Sequence, residues 1–389
     1  MDRRKFLRNV SLSSVAFMTS RSIFQRSWAW NALSRQDFYV GNYGTGQDGG
    51  IYFCRLNSLT GEITLQGETK GIDNPSFLAI DSNNHFLYTV NEVSDVNGNP
   101  GGAVSSFEID PENGRLRFVA QQLTLGDSPC HISIDHTGKF LLMTNYTGGN
   151  ITVVPIMQDG NPGNYVEHIQ HKGHSINPDR QNAPHPHSIN LSPDNNYAFV
   201  PDLGLDKILI YRFDPQTGKL RPGDFPYISL KPGAGPRHFT FHPDGRFAYV
   251  INELNSTVTV FKYKSVKGTL KEIQTISTLP EEFTGESNCA DIHIHPNGKY
   301  LYGSNRGHNS IVVYNIDVTT GKLKLHDFTS TQGDFPRNFA IDPSGQFILA
   351  ANQRSDSIFS FRINTETGEL IPTGHMIEIP KPVCIKFLN

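Results

Sequence analysis

Apolar residues fall at every second position in short runs of this chain. Phe239 and Phe241 do so in "RHFTF", Ile292 and Ile294 in "DIHIH". That is the period of a strand with one face buried. A turn of the Pro-Asp-Gly kind follows. Next come a denser apolar run such as "RFAYVIN" and a β-branched run such as "STVTVFKY" (256–263) or "NSIVVYNI" (309–316). A second turn signal closes the pattern: "SLTGEI" (58–63), "PENGRL" (111–116), "PQTGKL" (215–220), "VTTGKL" (318–323) and "TETGEL" (365–370). It leads into a fourth strand, expected to be short and polar. No stretch carries the period of a long amphipathic helix.

The pattern recurs. "NPSFLAIDSNNHFLYTVNE" (74–92), "SPCHISIDHTGKFLLMTNY" (128–146), "HPHSINLSPDNNYAFVPDL" (185–203), "GPRHFTFHPDGRFAYVINE" (235–253), "NCADIHIHPNGKYLYGSNR" (288–306) and "FPRNFAIDPSGQFILAANQ" (335–353) align without gaps. In each, the second residue precedes an Asn or Asp by the same interval, as Pro236 precedes Asn252. A seventh copy, "KPVCIKF" (381–387), holds one strand only, and "DFYVGNY" (37–43) supplies its missing half. Repeats of roughly fifty residues, each four antiparallel strands, predict an all-β, seven-bladed β-propeller. Its ring closes by N- and C-terminal strands sharing one blade. A β-solenoid is the structural competitor, but its repeats are normally shorter.

Composition agrees: 35 Gly, 24 Pro and 14 Tyr against 5 Met suit many short strands and turns. The net charge of −3 conceals an asymmetry, because residues 1–35 hold seven basic groups and one acid, leaving −9 for the remainder. An acidic body argues against nucleic acid as a partner. The leader contains Arg3-Arg4-Lys5-Phe6-Leu7 before a weakly apolar stretch, Val10 to Met18, too short to span a bilayer. It resembles a twin-arginine signal, which implies the twin-arginine export machinery and a periplasmic or secreted protein. A leader that does not function would leave the protein cytoplasmic. The domain organisation expected is a leader over 1–35 and one propeller over 36–389, with no stable membrane insertion. Cys54, Cys130, Cys289 and Cys384 match no zinc pattern and are expected as small buried groups.

In a propeller, the loop entering the innermost strand and the loop leaving the second strand open on the same end of the central channel. Positions just after the repeat proline therefore converge with positions just after the repeat Asn. The first set includes Cys130, His187, Arg237 and Arg337, followed by His131, His238, Asp291 and Asn338; the second includes Glu92, Tyr146, Glu253 and Arg306. Structural positions tend to be alike in every copy, as the repeat Asn is, whereas these vary and carry charge. They predict a pocket. The long segment 164–194 adds His168, His171 and His174, whose spacing on a strand alternates faces, and His185 and His187, which share one. No Cys or carboxylate pattern completes a metal set, and no cofactor motif is present.

The stretches "GHSINPDRQNAPHPHSI", "VPDLGLDKI", "GPRHFTFHPDGRFAYVINEL" and "SNRGHNSI" occur in this order within residues 37–389. Together they resemble the seven-bladed propeller lactonases of the bacterial 6-phosphogluconolactonase type, to which fungal carboxymuconate lactonising enzymes are related in fold. The resemblance implies a metal-free site that opens or closes a lactone ring. The motif positions of the fungal relatives' proposed active-site set match His187, Arg237, Glu253 and Arg306 here. Lactone hydrolysis needs a base near a water and positive charge at the developing oxyanion. The expected roles are Glu253 or His187 as base, with Arg237 and Arg306 on the oxyanion or substrate anion. His131, His185, His238, Arg337, Asn252 and Asn305 are the candidate substrate-binding residues. The partner expected is a small-molecule lactone or organic acid. Two other functions fit the same residues: a carboxymuconate-type cycloisomerase and a non-enzymatic exported binding propeller. An export leader sits poorly with a phosphorylated cytoplasmic substrate and points to unphosphorylated sugar lactones.

Overall fold

The computed structural model describes residues 35–388. They form seven four-stranded antiparallel sheets arranged as a ring of blades, plus a two-stranded ribbon, Asp95–Val96 with Asn99–Pro100. The leader over 1–35 falls, but for Arg35, outside the described residues. Blades 1 to 6 are numbered by their inner strands: Pro75–Ile80, Pro129–Ile134, Asn190–Leu191, Pro236–Phe241, Asn288–Ile294 and Pro336–Ile341. Blade 7 takes its inner strand from Pro382–Phe387 and its other three from Arg35–Asn42, Gly50–Asn57 and Ile63–Lys70. Among the described residues no helix is long and apolar enough to cross a membrane.

Seven buried apolar clusters, one between each pair of neighbouring blades, hold the ring together. Second strands are squeezed on both faces; Phe247–Asn252 is buried at every residue. They therefore read as continuous apolar runs, while one-sided strands alternate. The outermost strands, except the four-residue Glu167–Gln170 of blade 2, differ from the expectation of short ones. They are polar, but Leu220–Ser229 has 10 residues against 6 for Pro236–Phe241. The blades fan outwards, so length is least restricted at the rim and most restricted at the channel.

Glycine fixes the spacing between blades. The turn glycine Gly321 of blade 5 has φ +75° and lies so close to Phe247 of blade 4 that a Cβ would stand 2.3 Å from the ring. Gly368 on Tyr300 and Gly218 on Phe140 repeat the contact. Tyr249 Oη donates to the Gly321 carbonyl at 2.9 Å, and His242, the histidine of the His-Pro-Asp-Gly turn, meets the Gly298 carbonyl through Nε2 at 2.8 Å. His242 is thus a joint between blades.

One more device positions the channel mouth. Pro236 pairs with Asn252, then the register slips by one before His238 pairs with Ile251. The same slip follows Pro75, Pro129 and Pro336. Proline cannot donate to the ladder, so the strand begins with a bulge, and a bulge re-aims the side chain it carries. The bulged residues are Ser76, Cys130, Arg237 and Arg337.

Candidate functional site

The bulge turns Arg237 inward from blade 4, where it is 2% exposed despite its charge. Its Nη1 donates to the Ala290 carbonyl of blade 5. Its Nε lies 3.0 Å from Glu253 Oε2 without aiming its N–H there, so that contact is an ion pair rather than a hydrogen bond. Arg306 Nη2 stands 2.8 Å from the same oxygen and donates to the Cys289 carbonyl at 2.7 Å. Arg180 Nη2 donates to the other oxygen, Oε1, at 2.6 Å. Glu253, on the loop leaving the second strand of blade 4, thus carries three guanidinium groups on one carboxylate.

A second pair adjoins it. Arg337, the bulge residue of blade 6, donates through Nη2 to Tyr43 Oη at 2.7 Å, and Tyr43 Oη donates to Glu92 Oε2 at 2.7 Å. Four arginines therefore face Glu253 and Glu92, and with the charged Asp291 carboxylate one step below, the balance among these groups is one positive charge. Burial and repulsion from Arg306 and Arg337 lower the Arg237 pKa to about 10, still charged at neutral pH. Burying unbalanced charge is costly, so the surplus favours an anion at this end of the channel.

His187 closes the mouth from blade 3. It and His185 share Tyr146: the His185 ring stacks on it at 4.5 Å and His187 meets its edge at 5.3 Å. His185 Nδ1 donates to the Tyr146 carbonyl at 2.9 Å. Burial, then the charge on Arg237, holds His187 well below the usual histidine pKa, so its imidazole is neutral. One step along the inner strands, His131 packs on Phe77 at 4.3 Å and His238 joins Asp291 at 2.7 Å.

His187, Arg237, Glu253, Arg306, Arg337, His131 and His238 lie on adjoining inner strands and mouth loops, and His185 joins them through Tyr146. Asn252 and Asn305 do not face the mouth, which corrects their expected place among the substrate contacts. Asn252 Nδ2 donates to Thr257 and Thr259 within its own blade, at 2.9 and 3.0 Å. Asn305 Nδ2 donates to the Thr278 carbonyl at 2.7 Å. With the register slip on the proline side, the Asn side chain turns into the blade and ties strands together. His168, His171 and His174 also separate: His171 Nδ1 meets buried Asp202 at 2.7 Å, His168 meets Thr152 at 3.3 Å, and His174 is exposed.

Two participants escaped the repeat-based reading. Arg180 comes from the part of the 164–194 segment that precedes the third repeat copy and aligns with no other blade. Tyr43 follows Asn42 as Glu253 follows Asn252, an equivalence that the splitting of blade 7 between the termini obscures. Cavity size does not pick out this site. A cleft of about 860 Å3 beside Tyr227 and Val266 lies at the rim instead. Charge convergence distinguishes the mouth.

Compared with known proteins, residues 37–387 match the family described as lactonase, seven-bladed beta-propeller. A 6-phosphogluconolactonase of Bacillus subtilis is 35% identical over 90% of this chain and 98% of its own length. One from Formosa agariphila is 39% identical over 78% of this chain and 86% of its own. The solved structure of a periplasmic gluconolactonase from Pseudomonas aeruginosa is 34% identical with a TM-score of 0.86, covering 92% of this chain and 99% of that one.

Proposed function

This chain belongs to the seven-bladed β-propeller lactonases, and on that premise we propose that it hydrolyses a sugar lactone at the arginine-lined end of its channel. The observation that carries the reading is the convergence of four arginines, Arg237 and Arg306 buried and Arg180 and Arg337 half-buried, on Glu253 and the Tyr43–Glu92 pair. Attack on a lactone carbonyl turns its oxygen into an oxyanion, and charge fixed beforehand stabilises that state more than the neutral substrate. Arg237 and Arg306 are the proposed oxyanion or anion-binding groups. Glu253 keeps the arginines in place; with three of them on its carboxylate it makes a weak base. The water's proton then falls to a neutral imidazole, and no metal enters the proposed mechanism.

The named relatives divide between a phosphorylated substrate and a periplasmic gluconolactonase. The export-type sequence over 1–35 favours an unphosphorylated aldonolactone met outside the cytoplasm. An arginine surplus would also suit a dicarboxylate, which keeps a cycloisomerase as the second reading. Proton release separates them, since hydrolysis yields one acid proton per turnover and isomerisation consumes no water. Purified residues 36–389 should accelerate proton release from glucono-δ-lactone above the spontaneous rate, with 6-phosphogluconolactone the poorer substrate. Arg237→Ala should lose about a hundredfold or more in kcat. Rates equal to the spontaneous blank on both lactones would end the lactonase reading.

A further inference from the structure

Lactone hydrolysis requires an acceptor for the water's proton, and the choice of that acceptor rests on the lactonase reading. Asp291 is buried on the inner strand of blade 5, and each of its oxygens is fixed. Oδ1 accepts from His238 Nδ1 at 2.7 Å and from the Ile292 N–H at 2.9 Å. Oδ2 accepts from His293 Nε2 at 2.9 Å and Asn338 Nδ2 at 2.6 Å. Asn338 is held in turn, its Oδ1 accepting the Ile385 N–H at 2.7 Å. The cluster thus spans blades 4, 5, 6 and 7. Burial opposes ionisation of Asp291, but His293 and His238 outweigh it and keep the carboxylate charged.

A carboxylate only accepts hydrogen bonds, so His238 carries its hydrogen on Nδ1 and its Nε2 presents a lone pair. That Nε2 is buried and has no hydrogen-bond partner among the described residues. Leaving a buried acceptor unpaired is destabilising, so this lone pair is open to a donor entering the channel. The His187 ring stands 5.4 Å from that of His238, with His131 and Phe77 each at 5.7 Å. His238 also stands between the arginines of the mouth and a cavity of about 380 Å3 below them, lined by inner-strand residues such as His131, Asn190, Asp291 and Lys386, with room for several waters.

We propose that His238, oriented by Asp291, is the general base of this site. His187 is less suited: its Nδ1 faces the Cys130 sulfur at 3.8 Å, and among the described residues no carboxylate is hydrogen-bonded to it. His238 is neutral too, with burial and then Arg237 bringing its pKa to about 4 against the pull of Asp291. Only His238, however, has a buried negative charge to stabilise the imidazolium that forms as it takes a proton.

The step balances. Nε2 removes one proton as the water oxygen bonds to the lactone carbonyl carbon, and the carbonyl oxygen becomes an oxyanion. Collapse breaks the ring C–O bond, and the imidazolium returns the proton to the departing oxygen. The product is an open hydroxy acid whose carboxyl ionises and releases one proton. Asp291 is a positioning residue that acts through His238.

The test is steady-state lactonase kinetics on His238→Gln, His238→Ala, Asp291→Asn and His187→Gln, each checked for folding by thermal unfolding. His238→Gln should lose about a hundredfold or more in kcat with KM little changed. Added imidazole should restore part of the His238→Ala rate, which a purely structural role would not allow. Asp291→Asn should lose kcat rather than gain KM, and His187→Gln should mainly raise KM. Folded His238 variants with wild-type kcat, or an imidazole-insensitive His238→Ala beside a kcat-dead His187→Gln, would overturn the assignment while leaving the lactonase intact. A wild-type protein no faster than the spontaneous blank would remove the reaction and its base together.

Discussion

At Glu253, burial and charge pull in opposite directions. Burial would raise its pKa, but Arg306, Arg237 and Arg180 outweigh it and hold the carboxyl well below the usual carboxylate range. A carboxylate with a depressed folded pKa contributes stability that is complete above its unfolded value, about 4.3, and is lost as pH falls towards the folded one. Glu253→Gln leaves three guanidinium groups facing a neutral amide, which should cost about 3–5 kcal/mol near neutrality. Measured by denaturant unfolding, the gap between wild type and variant should stay constant from about pH 8 to 5 and narrow below about 4. A gap that closes near pH 6 would mean that Glu253 protonates there and is free to act as a base after all.

Between elements, the turn glycines are the sensitive points. In Gly321→Ala the new Cβ would meet the Phe247 ring, and φ +75° would suit alanine poorly. Left-handed backbone and overpacking together should cost about 3 kcal/mol. Thermal unfolding should show the loss while kcat per folded molecule stays the same; an unchanged melting temperature would contradict the joint between blades. These elements were legible beforehand because each blade writes its strands and turns locally, at one fixed interval from Pro236 to Asn252 and in the other copies. The site was legible only as far as that repeat extends. Arg180 reaches Glu253 from outside the repeat, and nothing local in "NPDRQ" announces it. The Asn252 and Asn305 side chains were misplaced because a one-residue slip decides which way a strand end faces, and the slip arises from pairing.

For the whole molecule, closure rests on Pro382–Phe387 pairing with Arg35–Asn42. Deleting 382–389 would remove Val383, Ile385 and Phe387 from buried positions and bare the edge of Arg35–Asn42. Such a truncation should aggregate or unfold at a much lower temperature, and soluble yield with near-UV circular dichroism would report it. A truncated chain as stable as the full one would show that the ring does not depend on this strand. The bulges after the repeat prolines have a consequence of another kind. Each frees the residue after the proline from the ladder that holds the blade, so its side chain can differ from blade to blade around a common axis. Exchanging Arg337 for another side chain rewrites what the channel attracts without disturbing a single rung between strands.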